Sequence, residues 1–251
     1  MANLTEKTKP KETSLTRRSF LKKSGITLGG LALGGILASC NPTKDKTNTE
    51  EANNKQKTEN YNLALMYFTQ EQFQIVEAAT ERIFPADENG PGAKDLGVAF
   101  FIDHQLSSDW GFNAREYMQP PFYKGEKVQG YQGRLRRREI FDIGLRELQN
   151  HSLSKYKKNF VELSEEEQDG VLTNFAEDKV NVTTISARGF FNMLRSGTLE
   201  GAYSDPMYSG NRNMDGWKMR NYPGSQMAYT KIIDKKFTVI PPKSLKDHLK
   251  H

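Results

Sequence analysis

The sequence predicts a mostly α-helical protein: a single irregular helical domain with long ordered loops, after an N-terminal signal peptide and a flexible tether. Three observations predict this class. Apolar residues recur at helical spacing in five segments, while the period-two alternation typical of strands is scarce. Two segments open with a capping box, in which Thr or Ser is followed three residues later by Gln or Glu. Stretches rich in glycine, proline and asparagine separate the segments.

Residues 1–39 have the pattern of an export signal. Arg17 and Arg18, followed by Phe20 and Leu21, resemble the twin-arginine signal, which directs folded proteins across a bacterial membrane. The apolar stretch after them is uncharged, rich in glycine and shorter than the about 20 residues that a membrane-spanning helix needs. These features favour a cleaved signal over a retained anchor helix, so we expect export by the twin-arginine pathway.

Residues 40–60 are predicted to be a lipidated cysteine and a flexible linker. The Leu-Ala-Ser-Cys sequence that ends at Cys40 resembles a bacterial lipobox, so we expect a lipid anchor on the periplasmic or extracellular side of a bacterial membrane. Cys40 is the only cysteine, which excludes an internal disulfide, a cysteine-ligated iron–sulfur cluster and a Cys-x-x-Cys-His haem site. Residues 41–60 contain no aromatic or branched aliphatic residue and cannot offset the entropy of ordering.

Five helices are predicted in the rest of the chain. The segments are residues 69–85, 95–106, 134–154, 164–175 and 184–198. Thr69 with Gln72, and Ser164 with Glu167, form the two capping boxes. In each segment, apolar residues three and four positions apart place one stripe toward a core.

Residues 201–224 form a long loop rich in glycine, asparagine, aspartate and aromatic residues. Loops of this length are usually functional or disordered, and the density of aromatic residues favours order. Because Trp, Tyr and Arg are enriched at interface hot spots, we predict a contribution to a partner interface or to the loop that shapes it. The alternative is a structural loop whose aromatic residues pack on their own helices. The residues expected to contribute are Trp110, Asn211, Arg212, Trp217 and Tyr222.

The positive charge of the chain resides in its signal. Residues 1–39 carry seven basic and two acidic side chains, and the whole chain carries 36 and 31, which leaves 29 of each for residues 40–251. Nucleic-acid binding needs a basic surface that neutralises phosphates, so we expect no nucleic-acid partner. The arginines at positions 134, 136, 137 and 138 are interpreted as the solvated face of a helix.

The sequence offers no catalytic constellation and no metal site. It lacks the Gly-x-Ser-x-Gly, His-Glu-x-x-His and glycine-rich phosphate motifs. His104, which follows Asp103, is expected to be a surface or capping histidine. Asp205 and Asp215, with neighbouring asparagines, do not match the spacing of an EF-hand and are interpreted as turn residues.

Five separated stretches of the sequence carry recognisable motifs, which follow one another in a fixed order along the chain. They are residues 83–106, 119–122, 200–213, 216–218 and 222–224. Over about residues 65–225 the chain resembles the gluconate 2-dehydrogenase subunit 3 family, also called the small or gamma subunit. Two positions depart from the family pattern: Gly197 stands where members often have histidine, and Ser209 stands where a glycine is usual.

The resemblance implies an accessory subunit in residues 61–225, followed by a C-terminal tail at residues 226–251. Such subunits accompany a large FAD-containing dehydrogenase of the glucose–methanol–choline type, and a membrane-bound cytochrome c subunit with haem often takes the electrons. We therefore expect no cofactor on this chain. Its expected role is to escort the flavoprotein through twin-arginine export, to stabilise it and to anchor it at the membrane.

Two other classes of function are kept open. One is a self-sufficient lipoprotein hydrolase that uses carboxylates such as Asp205 and Asp215. The other is a sugar-binding lipoprotein that uses the aromatic loop as a stacking platform.

Overall fold

The computed structural model describes residues 63–249, except residues 124, 127, 128 and 130. The predicted signal peptide with Arg17, Arg18, Phe20 and Leu21, the predicted lipid site at Cys40 and the linker to residue 60 lie outside the described residues. Residues from Glu59 to His251 form one compact unit.

The described part of the chain is helical, as predicted. Its α-helices are α1 (Gln70–Ile83), α2 (Val98–Ser107), α3 (Arg137–Tyr156), α4 (Glu165–Ala176), α5 (Ala187–Tyr203) and the short α6 (Asp215–Met219). Single turns of 3₁₀-helix lie at Phe160–Glu162, Pro206–Tyr208, Arg212–Met214 and Leu245–His248. Among residues 63–249, none of the helices has the length and apolar character that crossing a bilayer requires.

Local sequence explains where the helices begin. Both predicted capping boxes are present: Thr69 and Gln72 cap α1, and Ser164 and Glu167 cap α4. Other boundaries differ from the prediction. Helix α2 begins at Val98, after a left-handed residue, Gly97, with φ of 74°. Helix α5 continues to Tyr203, five residues past its predicted end.

One hydrophobic core joins the helices. Its buried residues run from Phe68 to Ala202, and α2 packs along α5 at the centre. The close approach of these two helices depends on small residues, since a Cβ on Gly201 would lie 3.0 Å from the Phe101 ring. Nearer the N-terminus of α5, Phe190 meets Phe141 edge-to-face with ring centroids 5.6 Å apart. The fold therefore has a complete core within the compact unit.

A partly buried ion pair joins α1 to α4. Arg82 donates from Nε and Nη2 to the two carboxylate oxygens of Asp169 at 3.0 and 3.1 Å. Its third nitrogen lies 2.8 Å from Glu165. This forked geometry fixes the angle between the two helices.

The segment before α1 is fixed by one buried carboxylate. Asp103 on α2 is fully buried and accepts the backbone N–H groups of Met66, Tyr67 and Phe68 at 2.6, 3.1 and 2.7 Å. These hydrogen bonds satisfy a charge that would otherwise be costly to bury.

Residues 226–242, the C-terminal arm, form a loop whose two ends meet. Gly224 pairs with Lys243 in an isolated parallel bridge, and Ser225 donates its N–H to the Lys243 carbonyl at 2.8 Å. Asp205 accepts from Ser244 Oγ at 2.5 Å and from Leu245 N at 2.7 Å. The base of the arm is therefore held against the loop that follows α5.

Candidate functional site

The loop after α5, residues 204–224, is built from three consecutive turns. Asp205 begins the first turn and accepts the Met207 N–H at 3.0 Å. The backbone that follows is left-handed at several residues other than glycine. These are Ser209, Asn211, Asn213, Met214 and Asn221. Asparagine tolerates this conformation better than most residues, which explains its frequency in the loop.

Asn211 holds the loop together from inside. Its side chain is fully buried, Nδ2 donates to the Ser204 carbonyl at 2.7 Å, and Oδ1 accepts the Gly216 N–H at 2.8 Å. A Cβ on Gly216 would overlap the Ala202 carbonyl oxygen. The amide of Asn211 therefore ties the end of α5 to the start of α6.

Trp217 on α6 packs under the end of the loop. It is 6 % exposed, and its indole N–H donates to the Tyr203 carbonyl at 2.7 Å. Tyr222 meets it edge-on with ring centroids 5.3 Å apart and stays 50 % exposed. A Cβ on Gly224, whose φ is 68°, would lie 2.6 Å from the Trp217 ring.

Arg212 connects the loop to the turn before α2. Its backbone N–H donates to the Leu96 carbonyl at 3.1 Å, and its guanidinium lies 5.2 Å from the centre of the Phe100 ring. A Cβ on Gly97 would lie 2.6 Å from Arg212 Nε. Two distant stretches of the sequence pattern, residues 83–106 and 200–213, therefore meet in one structure.

Trp110 lies away from this loop, in the segment between α2 and α3, and contacts the first residue of α3. The Arg137 guanidinium lies 4.8 Å from the centre of the Trp110 ring and donates to the Trp110 carbonyl at 3.1 Å. Asn113 Oδ1 accepts the Arg137 N–H at 2.9 Å, and Glu116 forms an ion pair with Arg137. Asn113 also donates to Glu116 at 2.7 Å, which closes the network.

The prediction that the arginine run forms a solvated helix face is wrong for Arg137 and Arg138; Arg134 and Arg136 are exposed, but they precede the helix. Helix α3 begins only at Arg137, and the Arg138 guanidinium lies over two aromatic rings, 4.8 Å from the centre of Tyr67 and 4.2 Å from that of Phe112. Arg137 and Arg138 are half-buried. Their planar groups are used for stacking, which the charge pattern alone does not reveal.

An open cleft of about 810 Å³ adjoins this network. Asn113, Glu116 and Arg137 form its polar wall, and Ile140 and Met193 contribute apolar surface. The remaining aromatic lining comes from Tyr117, Phe122, Tyr123 and Tyr131. Sequence reasoning missed this cleft, although aromatic residues on both sides of Pro120 and Pro121 were a signal for it.

Glu200 lies on α5 and has a perturbed ionisation. Partial burial of this carboxyl raises its pKa above the ordinary value, and the charge of Arg137 opposes the shift. Glu200 lies in the last turn of α5, so the charge of Arg137 reaches the end of the helix that leads into the loop.

A serine–histidine pair lies where α2 meets the loop. Ser209 Oγ and His104 Nδ1 are 2.8 Å apart, and His104 Nε2 lies 3.0 Å from the Ala64 carbonyl. Ser209 is only 7 % exposed, and Asp103 uses its oxygens to bind backbone N–H groups. The pair therefore joins three segments, and the expectation that His104 is a surface or capping histidine is wrong.

The loop carboxylates serve as turn residues. Asp205 accepts from backbone and side-chain donors, as described for the arm, and Asp215 lies 2.9 Å from Lys218 Nζ. Within the described ranges, no group of three His, Cys, Asp or Glu side chains is placed to hold a metal ion.

The sequence-predicted site residues thus fall in two places. Asn211, Arg212 and Trp217 form one connected loop with Tyr222 at its surface, whereas Trp110 borders the cleft. Asn211 and Trp217 shape the loop from inside, and contact with a partner remains a prediction for all five. Asn113 and Glu116 were missed because their shared partner, Arg137, lies more than 20 residues later in the sequence.

These features define a small helical domain in which Asn211, Arg212 and Trp217 hold the long loop after α5 in one conformation. The family model described as gluconate 2-dehydrogenase subunit 3 matches residues 70–224. The chain belongs to this family. The family is one subunit of a gluconate 2-dehydrogenase complex, so the complex has other subunits. No curated protein and no solved structure matches the chain.

Proposed function

We propose that this chain is the non-catalytic small subunit of a membrane-associated, FAD-dependent sugar or sugar-acid dehydrogenase of the glucose–methanol–choline type. It escorts the flavoprotein through twin-arginine export, stabilises it and anchors it through lipid on Cys40. The observation that carries the proposal is the family match over residues 70–224.

The chemistry of the loop supports an accessory role. Its most buried polar side chain, Asn211, forms two hydrogen bonds to backbone groups of the same loop. Ser209 has a histidine partner but is almost sealed from solvent. FAD would therefore reside on the large subunit, and haem on a cytochrome c subunit where one is present.

The exposed side of the loop offers a surface for the large subunit. Tyr222, Tyr208 and Met207 expose 50, 48 and 41 % of their surface on a backbone that Asn211 and Trp217 hold in place. Rigid aromatic side chains lose little entropy when they bind. We infer that these residues contact the flavoprotein.

The two rival functions find less support. A hydrolase based on Asp205 and Asp215 would need free carboxylates, and both are engaged in hydrogen bonds or an ion pair. A sugar-stacking platform would lack the indole of Trp217, the largest aromatic ring of the loop, because Trp217 is buried.

Export of the flavoprotein tests the escort role. The large subunit is co-expressed with this chain or with the Arg17→Lys, Arg18→Lys variant, and FAD-bound protein is measured in the exported and cytoplasmic fractions. We expect the exported fraction to fall at least 10-fold with the variant, because the signal requires paired arginines. A Lys7→Arg, Lys9→Arg variant, which also conserves charge, is expected to export normally. Equal export of the flavoprotein without this chain would exclude the escort role.

A further inference from the structure

The C-terminal arm, residues 226–242, exposes large apolar side chains to solvent. Phe237 is 93 % exposed and Ile233 is 74 % exposed. The exposed apolar residues of the arm are Met227, Tyr229, Ile233, Phe237 and Val239. Exposed large apolar side chains concentrated on one short segment are typical of a contact surface.

The arm and its base are also basic. Residues 226–249 carry five lysines and two aspartates, although residues 40–251 as a whole carry equal numbers of basic and acidic side chains. Lys231, Lys235 and Lys236 are exposed and lie among the apolar residues of the same stretch. The positive charge therefore lies on the same short segment as the apolar surface.

The origin of the arm is fixed on the domain. Ser225, Lys243 and Ser244 close its base through the hydrogen bonds described above, and His248 Nε2 lies 2.7 Å from the Ser225 carbonyl. The arm thus projects from a defined face, next to the loop of residues 204–224.

We propose that the C-terminal arm docks on an anionic lipid surface. Lysines interspersed with large apolar side chains suit the boundary between headgroups and acyl chains, where the cations meet phosphate and the apolar groups enter the hydrocarbon. The arm lies beyond residues 70–224, which the family model matches. The proposed membrane contact therefore lies outside the part of the chain that the family model covers.

This contact orients the domain. The linker that the sequence predicts at residues 41–60 would reach roughly 25 Å and would not fix which face turns to the membrane. A second, basic and apolar contact fixes that face. The inference rests on the proposed membrane placement, but its test needs neither the lipid on Cys40 nor the flavoprotein.

Vesicle flotation tests the inference on residues 59–251, the compact unit that contains the whole core. We expect this fragment to float with phosphatidylglycerol–phosphatidylcholine vesicles and to stay unbound with pure phosphatidylcholine. The Lys231→Gln, Lys235→Gln, Lys236→Gln variant is expected to bind on the order of 100-fold more weakly. Phe237→Ser is expected to weaken binding about 10-fold.

A matched control carries the same change in charge elsewhere. The Lys155→Gln, Lys157→Gln, Lys158→Gln variant removes three exposed lysines at the end of α3 and is expected to float normally. Absence of a preference for anionic vesicles, or equal loss of binding in the control, overturns the proposal. It is also overturned if the arm variants keep vesicle binding but lose co-purification of a partner protein. Failure of the export assay would leave these outcomes unaffected.

Discussion

At the scale of single residues, the loop after α5 depends on side chains that bond to backbone. Asn211 does this while its own backbone is left-handed, with φ of 46°. The sequence pattern identified Asn211 as important, but its role is internal: its side chain forms two hydrogen bonds with backbone groups of the loop. Buried polar partners left unsatisfied are costly, so the loop is sensitive at this position.

Asn211→Ala is expected to lower the free energy of unfolding by about 2–3 kcal/mol, since it removes both hydrogen bonds and strains a left-handed residue. Urea denaturation of the fragment of residues 59–251 measures this. Asn221→Ala is the control, because Asn221 is also left-handed, with φ of 51°, but is exposed. A loss in Asn221→Ala as large as in Asn211→Ala would contradict the assigned role of the amide.

At the scale of elements, two helix starts were predictable because their caps are local. Thr69 and Ser164 signal their helices within four residues of sequence. The start of α3 was not predictable, since its backbone N–H groups bond to Asn113 and Gly111, more than 20 residues earlier. The same limit applies to Asp103, whose partners lie 35 to 37 residues away.

The contact between α3 and α4 includes a pH-sensitive histidine. His151 Nε2 lies 3.1 Å from Asn174 Nδ2, and the ring meets Phe175 edge-on. Burial lowers the pKa of His151 below its ordinary value of 6.5, and the charge of Lys155 lowers it further. The folded state therefore binds this proton less tightly than the unfolded chain, and stability is lost as the pH falls below about 6.5.

His151→Gln is expected to remove this part of the acid sensitivity, because glutamine can still accept from Asn174 and carries no proton. Thermal unfolding between pH 5 and 8 measures it. The melting temperature of the wild type should fall more than that of His151→Gln below pH 6.5, with Lys155→Gln in between. Parallel curves for the wild type and His151→Gln would refute the prediction.

At the scale of the whole molecule, the loop after α5 is the place where segments distant in sequence meet. The loop after α5 receives both the turn before α2, through Arg212, and the base of the C-terminal arm, through Asp205. The fold class and the family were predictable from residues 65–225, whereas the closure of the arm was not, since Asp205 and Leu245 are 40 residues apart.

Asp205→Ala is expected to release the base of the arm, because Ser244 and Leu245 lose their acceptor. Limited trypsin digestion, followed by mass spectrometry, should then show several-fold faster cleavage at Lys231, Lys235 and Lys236. Asp215→Ala, which removes only an exposed pair with Lys218, should digest like the wild type. Unchanged cleavage in Asp205→Ala would mean that the remaining backbone hydrogen bonds hold the arm without it.

The hydrogen bonds of Asp103 have a mechanical consequence. A force applied along the chain from its N-terminal side enters the described fold at residues 63–68. There, three backbone N–H groups donate hydrogen bonds to one carboxylate on α2. That carboxylate lies fully buried at the helix that packs along α5. A pull on the N-terminal side is therefore delivered to the centre of the core before it reaches α1, so the domain resists being peeled open from that end.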